Sequence, residues 1–440
     1  MASFAPGSTT TSSTTTTRPA TPAVAGRRRV PIRAHRGRRL ALGVVLSVAV
    51  LALAACSSSK PSTTPVVDST PTSEGSSSTS GGPTGTGGPV PTGFQPASVT
   101  FVSADQGFVL GTAPCSTPPC TSLVATDDGG TSWHGLPAPV APLATSLSTP
   151  SPDDAPGAIS QVRFGDHLNG WAFGPGLWAT HDGGEHWTDQ HLEGSVTDLA
   201  SADGVTYAVV TTCPTGACES GATLYRTDAT SDDWQSVDGA GLPAQGGQIE
   251  LHARAAWFVG PASTDGGGAT FLSSPDGTTW TSHADPCLAD DAFLDSVAPV
   301  DTVNLFLLCV SDPGAGSQGK SVRSSSDAGA TTEAAGSPPR GGIALEIAAA
   351  DSSHLAVTAQ SGASFIYRSD DGGASWSTVD DLTDGGAGFR DLGFTTSTQG
   401  VVVSGEPSTG TTSATDATAA GSRLLMTHDA GATWTPVSFS

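Results

Sequence analysis

Basic residues are scarce everywhere except at the start of this chain. The sequence holds 18 Lys and Arg against 41 Asp and Glu, a formal charge of −23 over 440 residues. Eight of the 18 are arginines within the first 40 positions, which contain no acid, so the rest is more acidic than the total suggests. A body of that sign repels phosphate backbones and excludes nucleic acid as an expected partner. Charge of either sign is low, at 13% of residues, and Met occurs only twice. No convincing amphipathic helix is found, whereas 55 Gly and 32 Pro point to short strands joined by turns. Without such helices, no Gly-rich phosphate loop follows a strand and opens a helix, and no G-x-S-x-G elbow occurs. No cofactor is expected.

Residues 41–55 form an apolar run preceded by Arg38 and Arg39. A basic head before a run too short to span a bilayer comfortably is the pattern of an export signal. The run ends in Leu53, Ala54, Ala55 and Cys56, which resembles the bacterial lipobox. That resemblance implies cleavage before Cys56 and a lipid on its thiol, making 1–55 a lipoprotein signal peptide. An export signal with an incidental cysteine is the plainer alternative. Residues 56–95 are almost entirely Ser, Thr, Pro and Gly. They bury too little apolar surface to offset their ordering entropy and are expected to be a disordered tether. The expected location is the outer face of the cytoplasmic membrane, lipid-anchored.

The remaining span, 96–440, is repetitive. Four segments fit Ser/Thr-x-Asp-x-Gly-x-x-Trp: 126–133 (Asp128, Gly130, Trp133), 180–187 (Asp182, Gly184, Trp187), 369–376 (Asp371, Gly373, Trp376) and 427–434 (Asp429, Gly431, Trp434). Three degenerate copies fill the gaps: one ends at Trp234, one at Trp280, and one keeps Asp327 and Gly329 but has Thr332 in place of Trp. The seven boxes recur about every 50 residues, the length of a four-stranded propeller blade. Asp and Gly suit a tight turn, and the Trp opens the next strand with a large apolar ring to bury between blades. Hairpin patterns begin at Val99, Val162 and Leu392, upstream of boxes. The expected fold is all-β: a seven-bladed propeller of four-stranded antiparallel blades.

Alternating strand direction puts the a–b and c–d turns, the boxes included, on one face and the b–c and d–a connections on the other. The long insertions, near 135–157, 310–320 and 405–422, fall on that second face. Six cysteines after Cys56 suit an oxidising compartment. Cys115 with Cys120, Cys213 with Cys218, and Cys287 with Cys309 are expected to form three disulfides there; a cysteine-rich metal site is the alternative, but no CxxC is present. Asp153, Asp154, Asp285, Asp290, Asp291, Asp380, Asp381 and Asp384 lie in d–a connections as a candidate binding rim, against the plainer reading of solvated loop charge.

The repeats resemble the Asp-box, or BNR, repeat of exported propellers such as photosystem II assembly factor-like lipoproteins and, more distantly, sortilin-type ectodomains. The resemblance implies a binding platform or scaffold, although the acidic body departs from a basic-patch assembly factor. Asp-box propellers also include sialidases, which use three arginines, a Tyr/Glu pair and an Asp; this body has few arginines and lacks that family's Arg-Ile-Pro motif, so a sialidase is not expected. Arg226 and Arg368 belong to repeated phrases before boxes, leaving Tyr207 as the one independent nucleophile candidate. His181, Glu185, His186 and His191 resemble repeat decoration more than a metal set; no metal and no catalytic residue are assigned. The expectation is a monomeric, lipid-anchored binding or scaffold protein, with a protein or glycan as partner. A glycan-active hydrolase with carboxylates across the central mouth is the alternative.

Overall fold

Each repeat lays down four antiparallel strands in chain order, and seven such sheets are formed. The computed structural model describes residues 87–145, 147, 154–155, 157–212, 221–263, 266–379, 388–407 and 421–439. In blade 1 the strands are Gln95–Phe101, Gly107–Thr112, Thr121–Thr126 and His134–Leu136, lettered a to d from the inside outward. Strand a of the later blades is Gln161–Phe164, Ser195–Ala202, Gln248–His252, Phe293–Pro299, Ile343–Ala349 and Phe389–Phe394. Each strand a touches its neighbours on both sides, the last meeting the first, so the ring is closed. The one helical element among the described residues is a short 3-10 turn, Leu288–Asp290.

The box turns are built as their composition requires. In blade 1, Thr126 Oγ1 donates to Asp128 Oδ1 at 2.9 Å, and the Gly130 N–H donates back to Thr126 Oγ1 at 2.9 Å. Asp128 also accepts from the Ser132 N–H and hydroxyl at 2.8 and 2.6 Å. The same Ser/Thr-to-Asp and Gly-to-Ser/Thr bonds recur at Thr180, Ser325, Ser369 and Thr427. In blades 3 and 4 the Asp position holds Ala229 and Pro275. Blade 4 recovers part of the turn one residue later, where Asp276 accepts from the Thr278 and Thr279 N–H groups. Indole N–H groups report the difference: Trp133, Trp376 and Trp434 donate to the box Gly carbonyl, while those of Trp234 and Trp280 are buried without a partner.

The core is seven apolar clusters, one per seam between consecutive blades. Trp133 of blade 1 packs with Val401, Val403, Leu424 and Met426 of blade 7, and Trp376 of blade 6 with Phe306 and Val322 of blade 5. The seam between blades 4 and 5 lacks a box Trp because Thr332 stands there. It is filled by Trp257, whose indole donates to Ala328 O at 3.1 Å, by Phe271, and by the buried Cys287–Cys309 disulfide. Among the described residues no strand is exchanged between the first and last blades. Closure there is made by side chains: Phe439 meets Phe94 and Trp133 with ring centroids 4.9 and 5.1 Å apart. Gly88 pairs with Gly135 on the outer edge of blade 1, covering part of an open strand edge.

Candidate functional site

The centre of the ring is a pit of about 350 Å³ lined almost entirely by a strands. Leu147 from the first d–a insertion, with Gly247 and Phe389 from strand beginnings, stands among its walls. The pit therefore opens on the loop-rich face.

Five consecutive blades each place one acid on strand a: Asp198, Glu250, Asp295, Glu346 and Asp391. Register shifts occur along strand a in blades 1, 3, 5, 6 and 7. Such bulges re-aim side chains and free backbone donors from the ladder. Strand a is also the open inner edge of each sheet, and side chains of neighbouring blades take its free donors, on bulged strands and on the regular strands of blades 2 and 4 alike. Asp198 accepts from the Ile249 N–H of blade 4 at 2.7 Å. Glu346 accepts from the Asp391 and Leu392 N–H groups of blade 7 at 3.0 and 2.8 Å. Asp391 accepts from the Val99 N–H of blade 1 at 2.9 Å and pairs with Arg163 of blade 2 at 2.8 Å. Ser98 takes the same role toward the Val162 N–H at 3.1 Å. A side chain on one inner strand thus satisfies the backbone of the next, and the ring is stapled from within.

Crowding like charges in a confined space favours protonation. Glu250 is pushed up to about 8, first by desolvation and then by the Asp198 charge, although its side chain meets the pit's solvent. Glu346 rises to about 7 through desolvation and Asp391, and Asp198 and Asp295 to about 6 mainly through desolvation. Glu250 makes no hydrogen bond or ion pair with any described residue. Its protonated form is favoured relative to an ordinary glutamate, and in that form it can donate to a ligand. Arg390 stands at the rim, donating to Gly405 O and pairing with Glu406 at 2.8 Å. The pit offers one free acid, fixed acceptors and an apolar wall including Ile347 and Phe389.

The expected rim is dispersed. Asp285 is buried and accepts from the Ala269 and Cys287 N–H groups at 2.8 and 2.9 Å and from Leu294 N–H at 3.3 Å. It is a structural bracket, which corrects its reading as a rim residue. Asp154 accepts from the Thr145 N–H and hydroxyl, Asp290 pairs with Arg323 at 3.0 Å, and Asp291 ends the 3-10 turn in the left-handed region. Acids are also plentiful on the box face, among them Asp105, Asp127, Asp166, Asp232, Asp301 and Asp370, so acidity does not single out one face. Cys115–Cys120 and Cys287–Cys309 are both bonded, each with Cα atoms 5.5 Å apart. Cys56, Cys213, Cys218, Asp153, Asp380, Asp381 and Asp384 lie outside the described residues.

Of the tempting histidines, His181 bridges Asn169 and Asp232 at 2.8 and 3.2 Å, and His186 lies 2.7 Å from its box Asp182. Among the described residues no three His, Cys, Asp or Glu side chains converge as metal ligands. Tyr207 is fully buried between blades 3 and 4, far from the role of a solvent-facing nucleophile. The five inner acids are what sequence reasoning missed. Their signal was present: a lone acid inside an apolar strand a, as in VTDL, QIEL, FLDS, ALEI and FRDL.

No family model matches the chain, and no curated protein does. Among solved structures it is similar to YCF48 bound to D1 peptide, at 19% identity over 78% of this chain and 95% of that chain, with a TM-score of 0.48. It is similar to YCF48 from Cyanidioschyzon merolae at 17% identity, 78% and 97% coverage and a TM-score of 0.48. A GH74 enzyme from Niastella koreensis matches at 12% identity, 76% and 61% coverage and a TM-score of 0.32. Likenesses at this level carry no function across.

Proposed function

We propose that the chain is a lipid-anchored, extracytoplasmic binding or scaffold protein of the Asp-box propeller kind. It acts as a monomer and engages a protein or glycan through its loop-rich face around the central pit. One observation supports this above others: Asp198, Glu346 and Asp391 are committed to backbone N–H groups of adjacent blades. Their carboxylates hold the pit's shape. A preformed concavity lowers the ordering cost of binding, which is what a platform needs. Anchoring rests on Cys56 and the basic and apolar segments before it.

Expression in a bacterial envelope tests both halves. The wild-type protein is expected in the membrane fraction with a co-purifying partner, and Cys56→Ser in the soluble fraction. The double variant Glu250→Gln, Arg390→Gln is expected at the membrane without the partner. A soluble wild type defeats the anchor, and an unchanged partner in the double variant defeats the face.

The second reading, a glycan-active hydrolase, is favoured by one feature. Asp198 and Glu250 line the pit from adjacent strands, and their environments separate them to about 6 and about 8. Such separation is how carboxyl pairs divide base and acid roles. Turnover on a glycan panel that Glu250→Gln abolishes would establish it.

A further inference from the structure

The 96–440 body contains one lysine, Lys320, and it is 4% exposed. Its ammonium donates to three backbone carbonyls, Gln318 at 3.2 Å, Gly341 at 2.9 Å and Gly342 at 2.8 Å. These bonds tie the b–c loop of blade 5 to the d–a connection that follows it. Arg340 is held at this junction, its carbonyl accepting from the Gln318 N–H at 3.0 Å. Its guanidinium reaches across Gly319, where an added Cβ would lie 3.4 Å from Nη1. Arg340 is exposed, and its side chain has no hydrogen-bond or ion-pair partner among the described residues.

Lys320, Arg323 and Arg340 line one open cleft of about 420 Å³ together with Ser311, Ser321 and Ser337. The one carboxylate in its lining is Asp290, already paired with Arg323 at 3.0 Å. An excess of positive charge is therefore concentrated in a chain whose formal charge is −23. Lys320 is pushed down to about 8, first by its burial and then by the nearby Arg340 charge. A guanidinium free to present its fork beside hydroxyl donors, with the lining carboxylate Asp290 engaged by Arg323, recognises oxyanions.

We infer that this cleft is an oxyanion-binding site, in which Arg340 grips a carboxylate or phosphate group. The residues 314–321 read G-x-x-x-x-G-K-S, the spacing of a nucleotide phosphate loop. That mechanism does not apply, because the segment runs into strand Lys320–Ser325 rather than a helix and the lysine is spent on carbonyls. Recognition rests on Arg340. The cleft is walled by strands c and d of blade 5 together with b–c and d–a segments, and on the loop-rich-face reading, from which its biological role follows, it selects partners bearing an acidic group.

The test is calorimetric titration of the intact protein with sodium phosphate, sulfate and acetate at constant ionic strength set by sodium chloride. Saturable one-site binding is expected, weakened at least about tenfold in Arg340→Gln. Preference for phosphate assigns a phosphate-bearing ligand, and preference for acetate a carboxylate. Equal affinity in wild type and variant, or an adventitious ion only, with no saturation above chloride, overturns the site. No protein partner enters this titration, so its failure and that of the binding-face reading are distinguishable.

Discussion

Glu250 concentrates the tension of the inner ring. Its carboxyl is raised to about 8 while the unfolded chain's stays near the ordinary glutamate value, so the folded state holds extra protons between those limits. The stabilisation is fully present below the unfolded value and is lost as pH rises through the folded one. Glu346, Asp198 and Asp295 act in the same direction. Box aspartates act oppositely: Asp128, Asp327 and Asp371 are lowered chiefly by hydrogen bonds from the box, and their contribution is lost as acid protonates them. Stability is therefore expected to be greatest near mildly acidic pH and to fall toward pH 8. Glu250→Gln should flatten that fall by roughly 1–2 kcal/mol, a figure discounted because the carboxyl meets the pit's solvent. Denaturation midpoints at pH 5 and pH 8 for both proteins check it, and an unchanged slope in the variant would count against the crowded-acid account.

At the scale of elements, the seam between blades 4 and 5 shows how one local loss is offset. Its missing box Trp is replaced by Trp257 and a disulfide closing a separation of 22 residues. Removing that bridge with Cys287→Ser and Cys309→Ser is expected to cost about 3 kcal/mol by loop entropy. Removing Cys115–Cys120, which spans only five residues of an exposed loop, should cost about 2 kcal/mol. Calorimetric unfolding of the two variants should rank them in that order; the reverse ranking would deny the seam its role. Blade number, box turns and the pairing of these cysteines were legible because each rests on local chemistry repeated in register. The staples were not. Asp198 reaching Ile249 or Asp391 reaching Val99 depends on which strand is innermost and where it bulges, and neither follows from turn composition. Asp285 misled for the same reason: an acid in a connection looks solvated until the chain folds three N–H groups around it.

The whole molecule divides its labour between faces. The box face consists of short turns, internally bonded in the five blades that keep the box Asp, and the other carries the insertions, both described disulfides and the pit. Ring closure without strand exchange places unusual weight on side chains at the junction of blades 7 and 1, where Phe439, Trp133 and Asp391 converge on the first strands. A ring so braced holds its loop-rich face in a fixed frame, which supports the proposed binding role. The most direct measurement is photo-crosslinking in the living envelope, from a probe at Val140 in the first long insertion, 77% exposed, and a second at the box residue Glu185. A specific adduct from Val140 alone is predicted; adducts from Glu185 alone, or equally from both, would contradict a loop-rich working face.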